Sequence, residues 1–97
     1  MSRIYIAGPI TGIDDHYERF KAAEMRLTAS GYKTINPSKL AAVMPSNASH
    51  REYMKVCIAL LGLCDEIYML KGWENSKGAT EEHEYAINNN IKVLFQK

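Results

Sequence analysis

The stretch Trp73-Glu74-Asn75-Ser76-Lys77-Gly78-Ala79-Thr80-Glu81-Glu82 carries the residue types of a phosphate or sugar site. It follows the apolar run Glu66-Ile67-Tyr68-Met69-Leu70 and precedes Glu82-His83-Glu84-Tyr85-Ala86-Ile87, which reads as helix. The amides at a helix start are unpaired donors, and the helix dipole favours an anion there. Ser76 adds a hydroxyl, Lys77 a cation, and Gly78 lets a ligand approach the backbone closely. Glu82 falls about one turn into the helix, where its carboxylate can reach the same pocket. The same spacing also fits an ordinary capped helix, with Ser76 as cap and the glutamates matched to the dipole. Spacing alone leaves both readings open.

A second turn of this kind lies near the N-terminus. Arg3-Ile4-Tyr5-Ile6-Ala7 reads as a strand, followed by Gly8-Pro9-Ile10-Thr11-Gly12 and then a helical pattern. Two glycine-bearing turns that each leave a strand would meet along the carboxyl edge of a parallel sheet, where open α/β sheets bind ligands. Neither the GxGxxG dinucleotide spacing nor the GK[ST] of a Walker loop is present.

These turns need elements to hold them, and the chain alternates. Asp14 or Asp15 can cap a helix that runs to about Ser30, with Phe20, Ala23, Met25 and Leu27 on its apolar face and Gly31 ending it. Lys33-Thr34-Ile35 is a short strand stopped by Asn36-Pro37. Residues 38–48 read as irregular, with a loop tip at Pro45, Ser46 and Asn47. Ser49 caps a helix over about 50–63, whose buried stripe is Tyr53, Val56, Cys57, Leu60, Leu61 and Cys64. A strand over about 66–70, a helix over about 79–89, a turn at Asn88-Asn89-Asn90 and the strand Lys92-Val93-Leu94-Phe95 complete the order βαβαβαβ. That order implies an α/β three-layer sandwich, a parallel sheet of about four strands with helices on both faces and right-handed crossovers.

At 97 residues the chain is expected to be one domain, 1–97. Its composition, 46% hydrophobic and 24% charged, is that of a globular protein rather than a disordered one. A net charge of +1 without a basic cluster argues against nucleic-acid binding. No apolar run approaches the roughly 20 residues of a membrane span, and the start enters a strand directly, so neither membrane insertion nor a signal peptide is expected. Cys57 and Cys64 fall two turns apart on one helix face, too far for a disulfide, as expected of reduced thiols in a cytoplasmic protein. His16, His50 and His83 are scattered, and no metal is expected. His50 and Arg51 open a helix near the same sheet edge, where either could meet phosphate, although a solvated helix start explains both.

The two turns and their spacing resemble the nucleoside 2-deoxyribosyltransferase superfamily, in particular its small, phage- and prophage-rich branch of uncharacterised domains, the DUF4406 type. The resemblance spans nearly the whole chain. It rests on Tyr5 through Gly12, Asn36-Pro37, Cys64-Asp65, and Trp73 through Ala86. It implies a flavodoxin-like fold, a homo-oligomer, a nucleotide or nucleotide-derived small-molecule ligand, and no cofactor. The family nucleophile is a glutamate four residues after the turn glycine, followed by a small or aromatic residue and alanine. That pattern maps onto Gly78, Glu82 and Tyr85-Ala86. A strand-one tyrosine that holds the carboxylate maps onto Tyr5, whose other reading is ordinary strand packing. Phosphate-binding roles map onto Ser76, Gly78 and the turn Gly8, Pro9, Ile10, Thr11 and Gly12.

Three departures accompany the resemblance. The family's helix-two aspartate, eight residues before the strand-three aspartate, is Cys57 here, a poor substitute as proton donor or acceptor. Better-studied members complete each site with a neighbouring subunit's residue placed after the last strand, and here Lys97 follows that strand almost immediately. The first-turn arginine of some monophosphate hydrolases is Thr11. Trp73 and Asn36 are candidates for base or rim contact; Trp73 reads equally as a stacking plate, at roughly 1–3 kcal/mol per base, or as an anchor for its loop. The resemblance thus implies a nucleotide N-glycosidase or deoxyribosyltransferase. The alternatives are a catalytically weak or inactive nucleotide-binding protein that sequesters a signal, of phage or prophage origin, and a structural subunit that assembles through helix faces.

Overall fold

The computed structural model of the chain describes residues 2–10 and 15–97. Among these, four strands, β1 (Arg3–Ala7), β2 (Lys33–Ile35), β3 (Glu66–Met69) and β4 (Lys92–Phe95), form one parallel sheet in the order β2-β1-β3-β4. The helices α1 (His16–Ala29), α2 (His50–Leu61) and α3 (Lys77–Asn88) make the connections. β1 pairs with β2 and β3, from Arg3 opposite Lys33 and from Ile4 opposite Glu66. At the amino end of this pairing the Asp65 carboxylate accepts from the Arg3 amide at 3.1 Å.

Strand alternation divides the interior into two layers. Ile4 and Ile6 of β1, with Tyr68 and Leu70, pack on Phe20, Ala23 and Leu27 of α1. Tyr5 and Ala7, with Ile67 and Met69, face the opposite way and pack on Cys57 and Leu61 of α2 and Ala79 and Ala86 of α3. The result is the expected α/β three-layer sandwich.

Local chemistry sets the ends of these elements. α1 gives way to Gly31, which adopts the left-handed φ of 98° that closes a helix without a Cβ penalty. The Ser49 side chain accepts from the Glu52 amide while the Glu52 carboxylate accepts from the Ser49 amide, a complete capping box at the start of α2. Asn90, at φ 58°, turns the chain from α3 into β4, a conformation asparagine tolerates better than most side chains.

Four details differ from the sequence reading. Met25 is 65% exposed, because Phe20, Ala23 and Leu27 already fill the stripe facing the sheet. α2 ends at Leu61, so Cys64 lies beyond it, buried beneath the turn into β3; Tyr53, Val56 and Leu60 are only half-buried. Pro37–Ala42 forms a short 3-10 helix within the stretch expected to be irregular. The Asn36 side chain nucleates it by accepting from the Ser38 amide at 3.0 Å, with proline at the first helical position. α3 begins at Lys77, two residues earlier than expected, because the Ser76 hydroxyl caps it. The Asp14 cap falls outside the described residues, and the Asp15 side chain makes no capping bond.

Gly8 leaves β1 directly against β3's exit. A Cβ added there would stand 2.8 Å from Leu70 Cβ and 2.9 Å from its Cδ1. Because Leu70 is fully buried, Gly8→Ala is expected to lower stability by about 1–3 kcal/mol. Urea unfolding reads this as a lower midpoint at unchanged slope; a wild-type midpoint would mean that Leu70 yields freely.

Candidate functional site

The carboxyl ends of β1, β2 and β3 open onto a cavity of about 450 Å3. Gly8 and Ile10 enter it from the β1 exit, Pro37 and Ser38 from the β2 exit, and Ser76 and Gly78 from the start of α3. Glu82 lies in its wall, 5% exposed. α3 turns the positions of Ala79, Glu82 and Ala86 toward the sheet, and the two alanines are small enough to let the helix lie close.

Glu82 meets Tyr5 there. The Tyr5 hydroxyl donates to Glu82 Oε2, and the Tyr5 side chain is fully buried. The Cys57 thiol lines the same cavity and packs in the same core cluster as Tyr5. Burial pushes the Glu82 carboxyl up to about 7; the Tyr5 and Cys57 hydrogen bonds pull it back, and the nearby Glu81 charge raises it further. Burial and then the Glu82 charge hold the Tyr5 phenol well above its ordinary range, so Tyr5 stays a donor. Burial pushes the Cys57 thiol up to about 11, with the Tyr5 hydrogen bond opposing and Glu82 adding to the rise. The site therefore holds one carboxyl poised between its two forms near neutral pH and two neutral donors.

The rim is polar. The Ser76 hydroxyl accepts from the Ala79 amide at 3.2 Å. Gly78 lies against α2: a Cβ there would be 3.4 Å from Met54 Sδ and 3.7 Å from His50 Cε1. His50 Nε2 lies 3.3 Å from Glu81 Oε2, which ties the starts of α2 and α3 together. Pro9 lines a second hollow beside the first. Thr11 and Gly12 fall outside the described residues.

Two sequence candidates lie elsewhere. Trp73 is stacked on His83 with ring centroids 4.5 Å apart and tilted against Phe95 at 6.1 Å, and it lines a separate hollow near the end of β4. These contacts are those of a loop anchor. Asn36 does not line the Glu82 cavity; its side chain accepts from Ser38 and donates to Glu24 at 3.2 Å. Ser38, Tyr53 and Met54 line the cavity without having been singled out for it. The spacing His50, Met54, Cys57 was the available signal, since i, i+4, i+7 share one helix face. Among the described residues no group of His, Cys, Asp and Glu could hold a metal ion, and no helix is long and apolar enough to cross a membrane.

The fold and this cavity place the chain among α/β proteins with a ligand crevice at a topological switch point. The chain belongs to the family described as a domain of unknown function, DUF4406, whose model matches residues 2–95. A solved structure of a 2-deoxyribosyltransferase from the psychrotolerant bacterium Bacillus psychrosaccharolyticus has the same fold. Its TM-score is 0.78 at 15% sequence identity, over 97% of this chain and 71% of that one. No curated protein sequence matches significantly.

The raised Glu82 carboxyl has a consequence for stability. Its folded value, about 7, lies above the ordinary value of 4.5. The folded state thus holds a proton that the unfolded chain releases, so the contribution is full below about pH 4.5 and is lost as pH rises through about 7. We expect wild-type stability to fall by on the order of 2–4 kcal/mol across this window, and Glu82→Gln to remove that part of the slope. Urea midpoints measured from pH 4.5 to 8 test it; equal slopes in the two proteins would contradict the assignment to Glu82.

Proposed function

We propose that the protein is a nucleotide N-glycosidase or deoxyribosyltransferase that uses Glu82 as nucleophile at C1′ of a (deoxy)ribonucleotide. The observation that carries this reading is the buried Glu82 carboxyl, held by the Tyr5 hydroxyl in the wall of a cavity that also contains the capped start of α3. The fold shared with a 2-deoxyribosyltransferase agrees with it.

In the first step the ionised Glu82 oxygen forms a bond to C1′ as the C1′–N bond breaks, and the electron pair leaves with the base. The oxocarbenium-like charge at C1′ develops beside a carboxylate that Tyr5 keeps oriented. In the second step water adds to C1′ as the bond from C1′ to Glu82 breaks, the carboxylate is regenerated, and the proton released by the water passes through solvent to the departed base; sugar phosphate and neutral free base result. An acceptor base in place of water gives transfer. Ser76, Gly78 and the segment after β1, with Gly8, Pro9 and Ile10 and the sequence candidates Thr11 and Gly12, hold the 5′-phosphate, with the α3 amides and dipole favouring the anion. No cofactor enters the reaction.

A second reading is favoured by one observation. Cys57 occupies the position of the family's helix-two aspartate, and its thiol stays protonated at neutral pH. A chain that binds and sequesters a nucleotide or nucleotide-derived signal without turnover would suit that loss. A single domain, a cytoplasmic location, a phage or prophage origin and a homo-oligomer belong to either version. Incubation with a nucleotide panel separates them, with chromatography for free base and calorimetry for binding. Product supports the enzyme, and tight binding of unchanged ligand supports the binding protein.

If the enzyme reading holds, Glu82→Gln abolishes cleavage by orders of magnitude while the fold persists, since it keeps shape and removes the nucleophilic charge. Full activity in Glu82→Gln with loss in Glu81→Gln would assign the role to the neighbouring glutamate instead. Ser76→Ala is expected to weaken a 5′-monophosphate by about 1–3 kcal/mol, the range for a hydrogen bond to a charged group, with the matching nucleoside much less affected. Equal losses for nucleotide and nucleoside would move the phosphate elsewhere.

A further inference from the structure

We propose that the hollow beside the Glu82 cavity is a subsite for a second phosphoryl group, so that the preferred ligands carry a 5′-diphosphate rather than a monophosphate. The proposal rests on the nucleotide reading above and deepens it. This hollow also measures about 450 Å3, and it shares His50, Ser76 and Gly78 with the Glu82 cavity. A phosphate held at Ser76 and Gly78 would therefore sit on the boundary between the two. A monophosphate would leave the second hollow to water. A further phosphoryl group, one bridging oxygen away, would enter it.

The walls of that hollow suit such a group. Arg19 comes from α1 and Lys77 from the first turn of α3, and no described residue lining it is acidic. The Glu81 carboxylate, close to the shared wall, is engaged by His50. Arg19 is also held in place: its Nη2 donates to the Lys71 carbonyl at 2.6 Å, beyond the end of β3. That bond uses one donor of the planar fork and leaves the others for phosphate oxygens. Lys77, which also lines the hollow, is exposed and supplies a point charge. The start of α3 also lines the hollow through Ser76, Lys77 and Gly78, so the Arg19 guanidinium, the Lys77 ammonium and the helix amide end all border a space next to the proposed 5′-phosphate position.

The test is calorimetry on the intact chain with the 5′-mono- and diphosphates of the common ribo- and deoxyribonucleosides, together with inorganic phosphate and pyrophosphate. For whichever nucleoside binds, the diphosphate is expected to bind at least about tenfold more tightly than the monophosphate, a difference well within reach of charge-assisted contacts. Pyrophosphate should likewise bind more tightly than phosphate. Arg19→Gln and Lys77→Gln should each cut the diphosphate-to-monophosphate ratio severalfold. Lys77 is exposed, so its variant keeps the test valid should Arg19→Gln fail to fold, and melting curves report which is the case. Equal affinity for mono- and diphosphates, or a ratio that Lys77→Gln leaves unchanged, would overturn the subsite. Pyrophosphate binding that depends on Lys77, with no nucleotide bound, would keep the subsite and overturn the nucleotide reading. No binding of any anion would remove both.

Discussion

The hydrogen bond from Tyr5 to Glu82 is the constraint around which the rest of the structure is arranged. A carboxyl taken out of water is costly in its charged form unless donors replace the lost solvation. Both groups are therefore supplied by rigid elements. Tyr5 sits in β1, between β2 and β3, where strand alternation fixes its direction toward α2 and α3. Glu82 is directed by the phase of α3, and the Ser76 cap sets that phase. A one-residue slip of the helix would turn Glu81 or His83 toward Tyr5 instead.

Sheet topology explains why the pair lies beside a cavity and not in a closed core. β1 leads into α1 on one face of the sheet, whereas the chain leaving β3 leads into α3 on the other. The two exits diverge at the carboxyl edge and leave a crevice that neither helix fills. Gly8 keeps the crevice narrow by lying against Leu70, closer than a side chain would allow, and Gly78 lies beside Met54 and His50 where α3 meets α2. A methyl group in place of the Gly8 hydrogen would clash with Leu70 and push apart the strands that define the walls, whereas at Gly78 it would only meet Met54 and His50 in ordinary contact.

The alternation of strands and helices was legible because each boundary carries local chemistry: Gly31 after α1, Ser49 with Glu52 before α2, Ser76 before α3, and the asparagines before β4. The pairing of Tyr5 with Glu82 came from the family pattern; spacing alone left Tyr5 as a packing residue. What remained illegible depends on partners distant in sequence. Trp73 turns toward His83 and Phe95, and nothing near it in the chain announces the end of β4. Asn36 is taken by its own 3-10 helix and by Glu24 of α1. The early start of α3 is not legible in the sequence because Lys77-Gly78 contains a poor helix former, which the Ser76 cap overrides.

Cys57 determines how the charge in the site is distributed. A carboxylate at its place would stand against Glu82 as a second acid, and two such groups in one buried space cannot both ionise easily. The thiol, held protonated, leaves Glu82 with a neutral neighbour. Burial is then the main force that raises the Glu82 carboxyl, and the hydrogen bonds from Tyr5 and Cys57 oppose it. In the proposed reaction this arrangement supplies a nucleophile, with a protonated thiol rather than a carboxylic acid at Cys57 beside the departing base. The burden therefore shifts to the substrate. A base that leaves readily, or that carries its own positive charge, is better matched to this site than one that must be protonated by the protein.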